Sequence, residues 1–317
     1  PMRRSAELWR ELGDTRAAAE SMHSLGVVLC RLKRFVEARE VMEQTAADLE
    51  ALQSWRELAL NWHERAILQE NLGQFDAMLA LLQQAARVLD RVEDGAETWT
   101  FVATATARAL RRGGRHAQAL ETLQAHRQRF AGDLGSVDGM VPLERALILA
   151  ELGRPHLAIQ ALGEVQACPG LAAGYRARAL ALRLQLWVAG QLGGPMPTGE
   201  EAGEDVRPQL TLERARLATQ PAAERAAALA GTIERALSYD ITAEARGARA
   251  ERVLALLEAG DAAAAADEAL TLRDSLALGG VSGYPPLAWW AIAQALRDRV
   301  PSAALGALQQ GVDFVLA

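Results

Sequence analysis

Lysine is almost absent. Lys33 is the sole lysine among 317 residues, and the other basic side chains are arginines or one of five histidines. A phosphate-binding loop needs a glycine-rich turn that ends in Lys-Ser or Lys-Thr. Lys33 instead sits in Cys30-Arg31-Leu32-Lys33-Arg34-Phe35, so the chain carries no such loop, and Schiff-base chemistry has one poor candidate. Aromatic residues make up only 5%, and Val and Ile are scattered. Sandwiches, barrels and Rossmann domains, whose strands need runs of those residues, are therefore excluded. The two cysteines, Cys30 and Cys168, are too few and too distant for a disulfide framework or a zinc knuckle. They read as free thiols in a reducing compartment.

What is present is helix-forming. Half of the residues are hydrophobic, most of them Ala and Leu, which lose little entropy in a helix. The apolar content is ample for a core, which argues against disorder. By length alone the chain is long enough for two domains. A net charge of −6 has the wrong sign for a nucleic-acid binder. The amino terminus, Pro1-Met2-Arg3-Arg4-Ser5-Ala6-Glu7-Leu8, lacks the apolar core of a secretory signal. The uncharged stretch from Ser275 to Leu296 is interrupted by Gly279-Gly280, Gly283 and Pro285-Pro286, so neither half can span a bilayer. A soluble cytoplasmic protein without membrane contact is expected.

The chain also repeats. Segments 29–38, 69–78, 110–119 and 149–158 each end one helical pattern, turn near a glycine and begin another. Aligning Lys33, Gly73, Gly114 and Gly153 gives spacings of 40, 41 and 39 residues, and a further copy surrounds Gly260. Apolar residues at Leu25, Val28, Leu29 and Leu32 have helical periodicity. A small residue follows three positions after the turn residue, as Ala38 follows Phe35, Ala119 follows His116 and Ala158 follows Pro155. Close helix crossings are predicted at Ala38, Ala119, Ala158 and Ala265. A helical hairpin cannot bury its apolar stripe alone, so neighbours must stack. The expected fold is all-α, a right-handed superhelix of antiparallel helix pairs.

These units resemble the tetratricopeptide repeat: Leu25-Gly26, Leu29, Phe35, Ala38 and Met42 fit its pattern best, followed by Gly73, Phe75 and Ala85. Later units keep the Gly and Ala but lose the aromatics, and the period exceeds the usual ~34 residues. The longer period resembles the helical arrays C-terminal to the ATPase core of bacterial transcriptional regulators, the MalT-like and adenylate-cyclase-associated group. Leu8-Trp-Arg-Glu-Leu-Gly-Asp14 and Trp289-Trp290-Ala-Ile-Ala-Gln-Ala-Leu296 are similar to those arrays.

Residues 193–208 form a Gly/Pro/acidic stretch where a second helix belongs, and divide the array into 1–192 and 209–317. Helices are expected to resume at 209–219 and 222–237, then 241–258 and 261–278, and finally 286–299 and 302–316. Residues 3–12 read as the second helix of a hairpin whose first is missing, as if both ends were cut from a longer chain.

Catalytic patterns are scarce. His23, His63, His116, His126 and His156 have no metal spacing, and Gly280-Val-Ser282-Gly283 lacks the strand that a nucleophile elbow requires. Glu200, Glu201, Glu204 and Asp205 are dense acids in a loop without rigid ligand geometry, where solvated charges outweigh a calcium or magnesium site. No cofactor, metal or enzymatic activity is expected.

In tetratricopeptide arrays the first helices line the concave face. Carrying that register over implies an inner lining of His23, Val27, Cys30 and Arg31, then His63, Ile67, Glu70 and Asn71, then Phe101, Thr104, Arg108, Arg111 and Arg112. His23 and His63 occupy one position in stacked units, either as a ligand-facing pair or as solvated polar groups. The three arginines either clamp a carboxylate or phosphate or form a solvated helix end that suits the macrodipole. Farther along, Leu143, Leu147, Ala150, Ala250, Leu254 and Leu257 make a blander face. The resemblance implies a non-catalytic interaction or sensing module, part of a cytoplasmic bacterial signalling ATPase or transcription regulator. Its groove would take an inducer, peptide or protein and bias an adjacent ATPase, without touching nucleic acid. A stand-alone peptide- or helix-binding adaptor and an all-helical enzyme are the alternatives.

Overall fold

The computed structural model describes residues 2–32, 34–130, 137–168, 170–199 and 205–316, without the side chain of Arg31. Lys33 and three of the loop acids, Glu200, Glu201 and Glu204, lie outside the described residues. These described residues form 16 helices and no strand. The chain begins with α1 (Met2–Glu11), α2 (Thr15–Arg31), α3 (Phe35–Ala51), α4 (Trp55–Leu72) and α5 (Phe75–Leu89). It continues with α6 (Ala96–Arg112), α7 (His116–Arg129), α8 (Met140–Glu151), α9 (Pro155–Gln166) and α10 (Ala173–Val188). The remainder holds α11 (Val206–Leu217), α12 (Ala222–Ser238), α13 (Thr242–Glu258), α14 (Ala262–Leu276), α15 (Pro285–Leu296) and α16 (Pro301–Leu316). None of the described helices is long and apolar enough to cross a membrane.

The repeat has a backbone signature. Gly73, Gly114, Gly153, Gly190 and Gly260 all adopt positive φ, between 67° and 85°. After each, the next residue donates its N–H to a carbonyl five positions back: Gln74 to Gln69, Arg115 to Leu110, Arg154 to Leu149, Gln191 to Leu186 and Asp261 to Leu256. This closure ties off carbonyls that the ended helix leaves unpaired, and glycine adopts the left-handed turn without a Cβ penalty. Four of those turns lead straight into a helix that packs back on the first: α4 on α5, α6 on α7, α8 on α9, and α13 on α14. Ala38, Ala119, Ala158 and Ala265 are fully buried, as their role at helix crossings requires.

The turn at Gly190 behaves differently. Residues 191–199 form no helix, and the next described helix is α11, capped by Asp205, whose side chain accepts the Arg207 N–H at 3.2 Å. The helix starts at Val206 rather than 209, because Pro208 falls in its first turn, where a missing N–H costs nothing. Among the described residues no second helix intervenes, and α10 packs directly on α11.

The array also folds back onto itself. Helix α13 packs against α4. Thr242 Oγ1 and the Arg246 guanidinium donate to the Leu72 carbonyl at 3.2 and 2.9 Å. The glycine-rich segment 279–283 crosses this seam as a strap. Gly280 N–H donates to the Gly73 carbonyl at 2.7 Å, and Ser282 N–H to the Ala243 carbonyl at 2.7 Å. A Cβ on Gly73 would collide with the Gly280 carbonyl, so glycine is required there for close approach as well as for its backbone angle.

Candidate functional site

The closure bounds a partly open cavity of about 960 Å³. Its lining comes from α2, α4, α6, α8, α10, α11, α13 and α15, joined by the strap, while Phe35 is the sole contribution from α3. The first helices of the hairpins therefore face inward, and α11 joins them because it packs directly on α10.

Much of that lining is charged, and most of the charge is paired within the protein. Glu70 on α4 accepts from Arg207 on α11, and Arg108 Nε on α6 lies 3.2 Å away. Glu144 on α8 accepts from Arg178 on α10 at 2.6 Å and faces Arg108 at 3.4 Å and Arg111 at 3.8 Å. Glu151 accepts from Arg111 and stands 3.0 Å from His116 Nε2. On the opposite side, Arg214 donates to Glu244 at 2.6 Å and grips Glu251 through two bonds of 3.0 and 2.7 Å. Glu244 also accepts from Ser282 of the strap.

Burial alone would raise these carboxyl pKa values, but the adjacent guanidiniums overcome it. Arg108 and Arg207 hold Glu70 well below the ordinary carboxylate range, and Arg178 and Arg108 do the same for Glu144. Arg111 with the His116 hydrogen bond lowers Glu151, and Arg214 with Arg207 lowers Glu244. The carboxylates are thus fixed anions rather than groups ready to exchange protons near neutral pH.

Arg112 is the exception. At the end of α6, it donates through NH1 to the Gly283 carbonyl of the strap, and its Nε has no partner. No carboxylate pairs with it among the described residues. Burial lowers its pKa and the neighbouring Arg111 lowers it further, while Glu151 and Glu70 act in the opposite sense. Between these charges, Leu147 and Ala150 from α8, Leu182 and Leu186 from α10, and Leu287 and Ala288 from α15 add apolar surface to the lining.

Nine of the residues expected inside, Val27, Cys30, His63, Ile67, Glu70, Asn71, Arg108, Arg111 and Arg112, do line the cavity. Thr104 is buried within α6, where its hydroxyl donates to the Thr100 carbonyl at 2.7 Å. Phe101 packs against the core around α8 and α9, its ring 5.8 Å from that of His63. His23 is half-buried on α2 outside the lining, with a pKa lowered by burial. The Arg31 side chain lies outside the described residues. Burial pushes the Cys30 thiol up to about 12, aided by Glu64, which keeps it protonated and unreactive. The register carried from the repeat pattern passed over Glu144, Arg178, Arg207, Arg214 and Glu244. One signal was available: Glu70, Arg111 and Glu151 follow the forty-residue beat with alternating charge, so stacked units present opposite signs to one another.

Among the described residues no group of three or more His, Cys, Asp and Glu side chains is placed to hold a metal ion. The chain matches no protein-family model and no curated protein.

Proposed function

We propose that the chain is a non-catalytic sensing module that binds a small-molecule effector inside its helical array. The observation that carries this reading is the partly open cavity of about 960 Å³, at the upper end of the range for small-molecule sites. Its mixture of apolar surface and a few oriented polar groups suits ligand selection. The strap and the α4–α13 seam cross what would otherwise be an open groove, which favours a compact ligand over an extended peptide. Fixed, guanidinium-paired carboxylates favour binding over acid–base chemistry.

The resemblance to arrays of MalT-like and adenylate-cyclase-associated regulators extends the proposal. There, ligand binding would bias an adjacent nucleotide-driven switch in a cytoplasmic bacterial signalling ATPase or transcription regulator. In this chain, the strap couples ligand to shape, since it touches α4, α6, α11 and α13 at once through Gly73, Arg112, Arg214 and Ala243.

A thermal-shift screen of small metabolites and of peptides against the chain tests the reading. A ligand present at a hundred times its Kd should add about 2.7 kcal/mol of stability. Ala150→Phe, which fills the cavity from its apolar lining, should abolish the response. A response that survives this substitution places the ligand elsewhere, and a response to peptides alone favours the adaptor reading.

A further inference from the structure

The cavity network contains five carboxylates, from Glu70, Glu144, Glu151, Glu244 and Glu251, against six guanidiniums. Five of those guanidiniums are paired with these carboxylates. The sixth belongs to Arg112. Two further acids reach the lining, but Glu64 stands beside His63 at 3.4 Å, and Asp205 is occupied as the cap of α11. Arg112 is the one guanidinium of the network with no carboxylate within ion-pair distance among the described residues, although Glu151 and Glu70 act on its charge from farther off.

Its geometry defines what is missing. The NH1 corner is spent on the Gly283 carbonyl, whereas the Nε–NH2 edge has no acceptor. That edge presents two parallel N–H groups, the arrangement that matches the two oxygens of a carboxylate. A guanidinium keeps its proton at ordinary pH, so this edge remains a donor. Its hydrogen-bonding capacity is unmet, and a bound monoanion would supply the acceptors. A dianionic phosphate ester would need a second uncommitted cation, and every other guanidinium here already has a carboxylate. Leu147, Leu182, Leu186 and Leu287 also line the cavity and offer apolar contact.

We propose that Arg112 anchors a small organic monoanion with an apolar body, an aliphatic or aromatic monocarboxylate, whose head group meets the Nε–NH2 edge and whose body lies along these leucines. This assignment rests on the cavity's being a ligand site and specifies the ligand's chemistry. The carboxylate would form two charge-assisted hydrogen bonds, while the Gly283 carbonyl retains the third.

The experiment is titration calorimetry of the whole chain with octanoate, octan-1-ol and octylammonium, which share a body and differ in the head group. Octanoate is expected to bind about tenfold or more tightly than octanol, and octylammonium not at all. Arg112→Gln should remove the preference for octanoate, while Arg112→Lys, which keeps the charge but loses the planar edge, should retain part of it. Ala150→Phe should block octanoate. Equal binding of octanoate and octanol, both blocked by Ala150→Phe, would overturn the anion assignment and leave the sensing cavity standing. Octanoate binding undiminished in Arg112→Gln would also overturn it, as would the absence of heat from all three probes at millimolar concentration. Should Arg112→Gln fail to fold, the contrast between head groups on the unaltered chain still decides.

Discussion

Glu70→Gln tests the network at the place where it holds distant parts of the chain together. Glu70 is fully buried and accepts from Arg207, 137 residues later in sequence, while Arg108 lies 3.2 Å away. The substitution keeps the volume but removes the charge. Breaking one side of a buried pair typically costs 3–5 kcal/mol, because the stranded charge remains buried. Here each guanidinium keeps a more distant carboxylate, Glu244 at 3.7 Å for Arg207 and Glu144 at 3.4 Å for Arg108. The expected loss therefore lies near the lower end, about 3 kcal/mol. Urea denaturation followed by circular dichroism measures it, with Glu37→Gln as the control. Glu37 pairs with Arg34 on the surface, where both side chains are at least 40% exposed, and its loss should change stability by about 0.5 kcal/mol at most. Combining Glu70→Gln with Arg207→Met should cost less than the sum of the single changes, by about 1–3 kcal/mol. A Glu70→Gln loss below about 1 kcal/mol, or strict additivity with Arg207→Met, would refute the assigned pairing.

Acid should act on the same groups. Glu70, Glu144, Glu151 and Glu244 titrate below their ordinary values in the folded chain, so the unfolded chain binds more protons in acid. Their stabilisation is complete above the ordinary carboxylate pKa of about 4.3 and is lost as pH falls toward the folded values. The urea midpoint should drop steadily from about pH 5 toward pH 3, and a constant midpoint across that window would contradict the pairing. Gly73→Ala and Gly153→Ala share the strain of a left-handed residue, about 1–2 kcal/mol, but only Gly73 abuts the strap. Gly73→Ala should therefore lower the melting temperature clearly more, and equal shifts would show that the seam contributes nothing. Ala119→Leu should overpack the α6–α7 crossing and cost about 1–3 kcal/mol, so an unchanged melt would rule out the assigned contact.

The hairpins were legible in the sequence because each depends on residues close together. Gly73, Gly114, Gly153 and Gly260 end their helices through a turn spanning only a few residues, and the small partners Ala119 and Ala158 follow at fixed distance. The late start expected for α11 erred by three positions because Pro208 reads as a break unless Asp205 is recognised as the cap before it. The seam was not legible. It joins Leu72 to Arg246 and Gly73 to Gly280, and such contacts follow from the accumulated rotation of all the pairs between them. The interior charges were hidden for a related reason. In a single strand of sequence, Arg178 or Glu244 looks like any solvated helix charge until the opposing helix supplies its partner. The inner face of α8 and α13 was accordingly expected to be bland through Leu143, Leu147, Ala150, Ala250, Leu254 and Leu257, whereas Glu151, Glu244 and Glu251 also line the cavity and Glu144 pairs with the lining arginines.

The bond between Gly280 and Gly73 also restricts how this chain can vary in evolution or by design. In an open coil, inserting or deleting one hairpin changes only the length, because each unit contacts its neighbours alone. Here the helices from α4 to α13 must accumulate one particular rotation for the two glycines to meet in phase. Removing the α6–α7 hairpin would leave every remaining local contact possible and still carry Gly280 away from Gly73 by one unit's turn. The arc between the two glycines is therefore countable in whole units, and its number is fixed. Additional hairpins are compatible with the seam only outside that arc, and extra length within it only where no rotation is transmitted, in the stretch between α10 and α11.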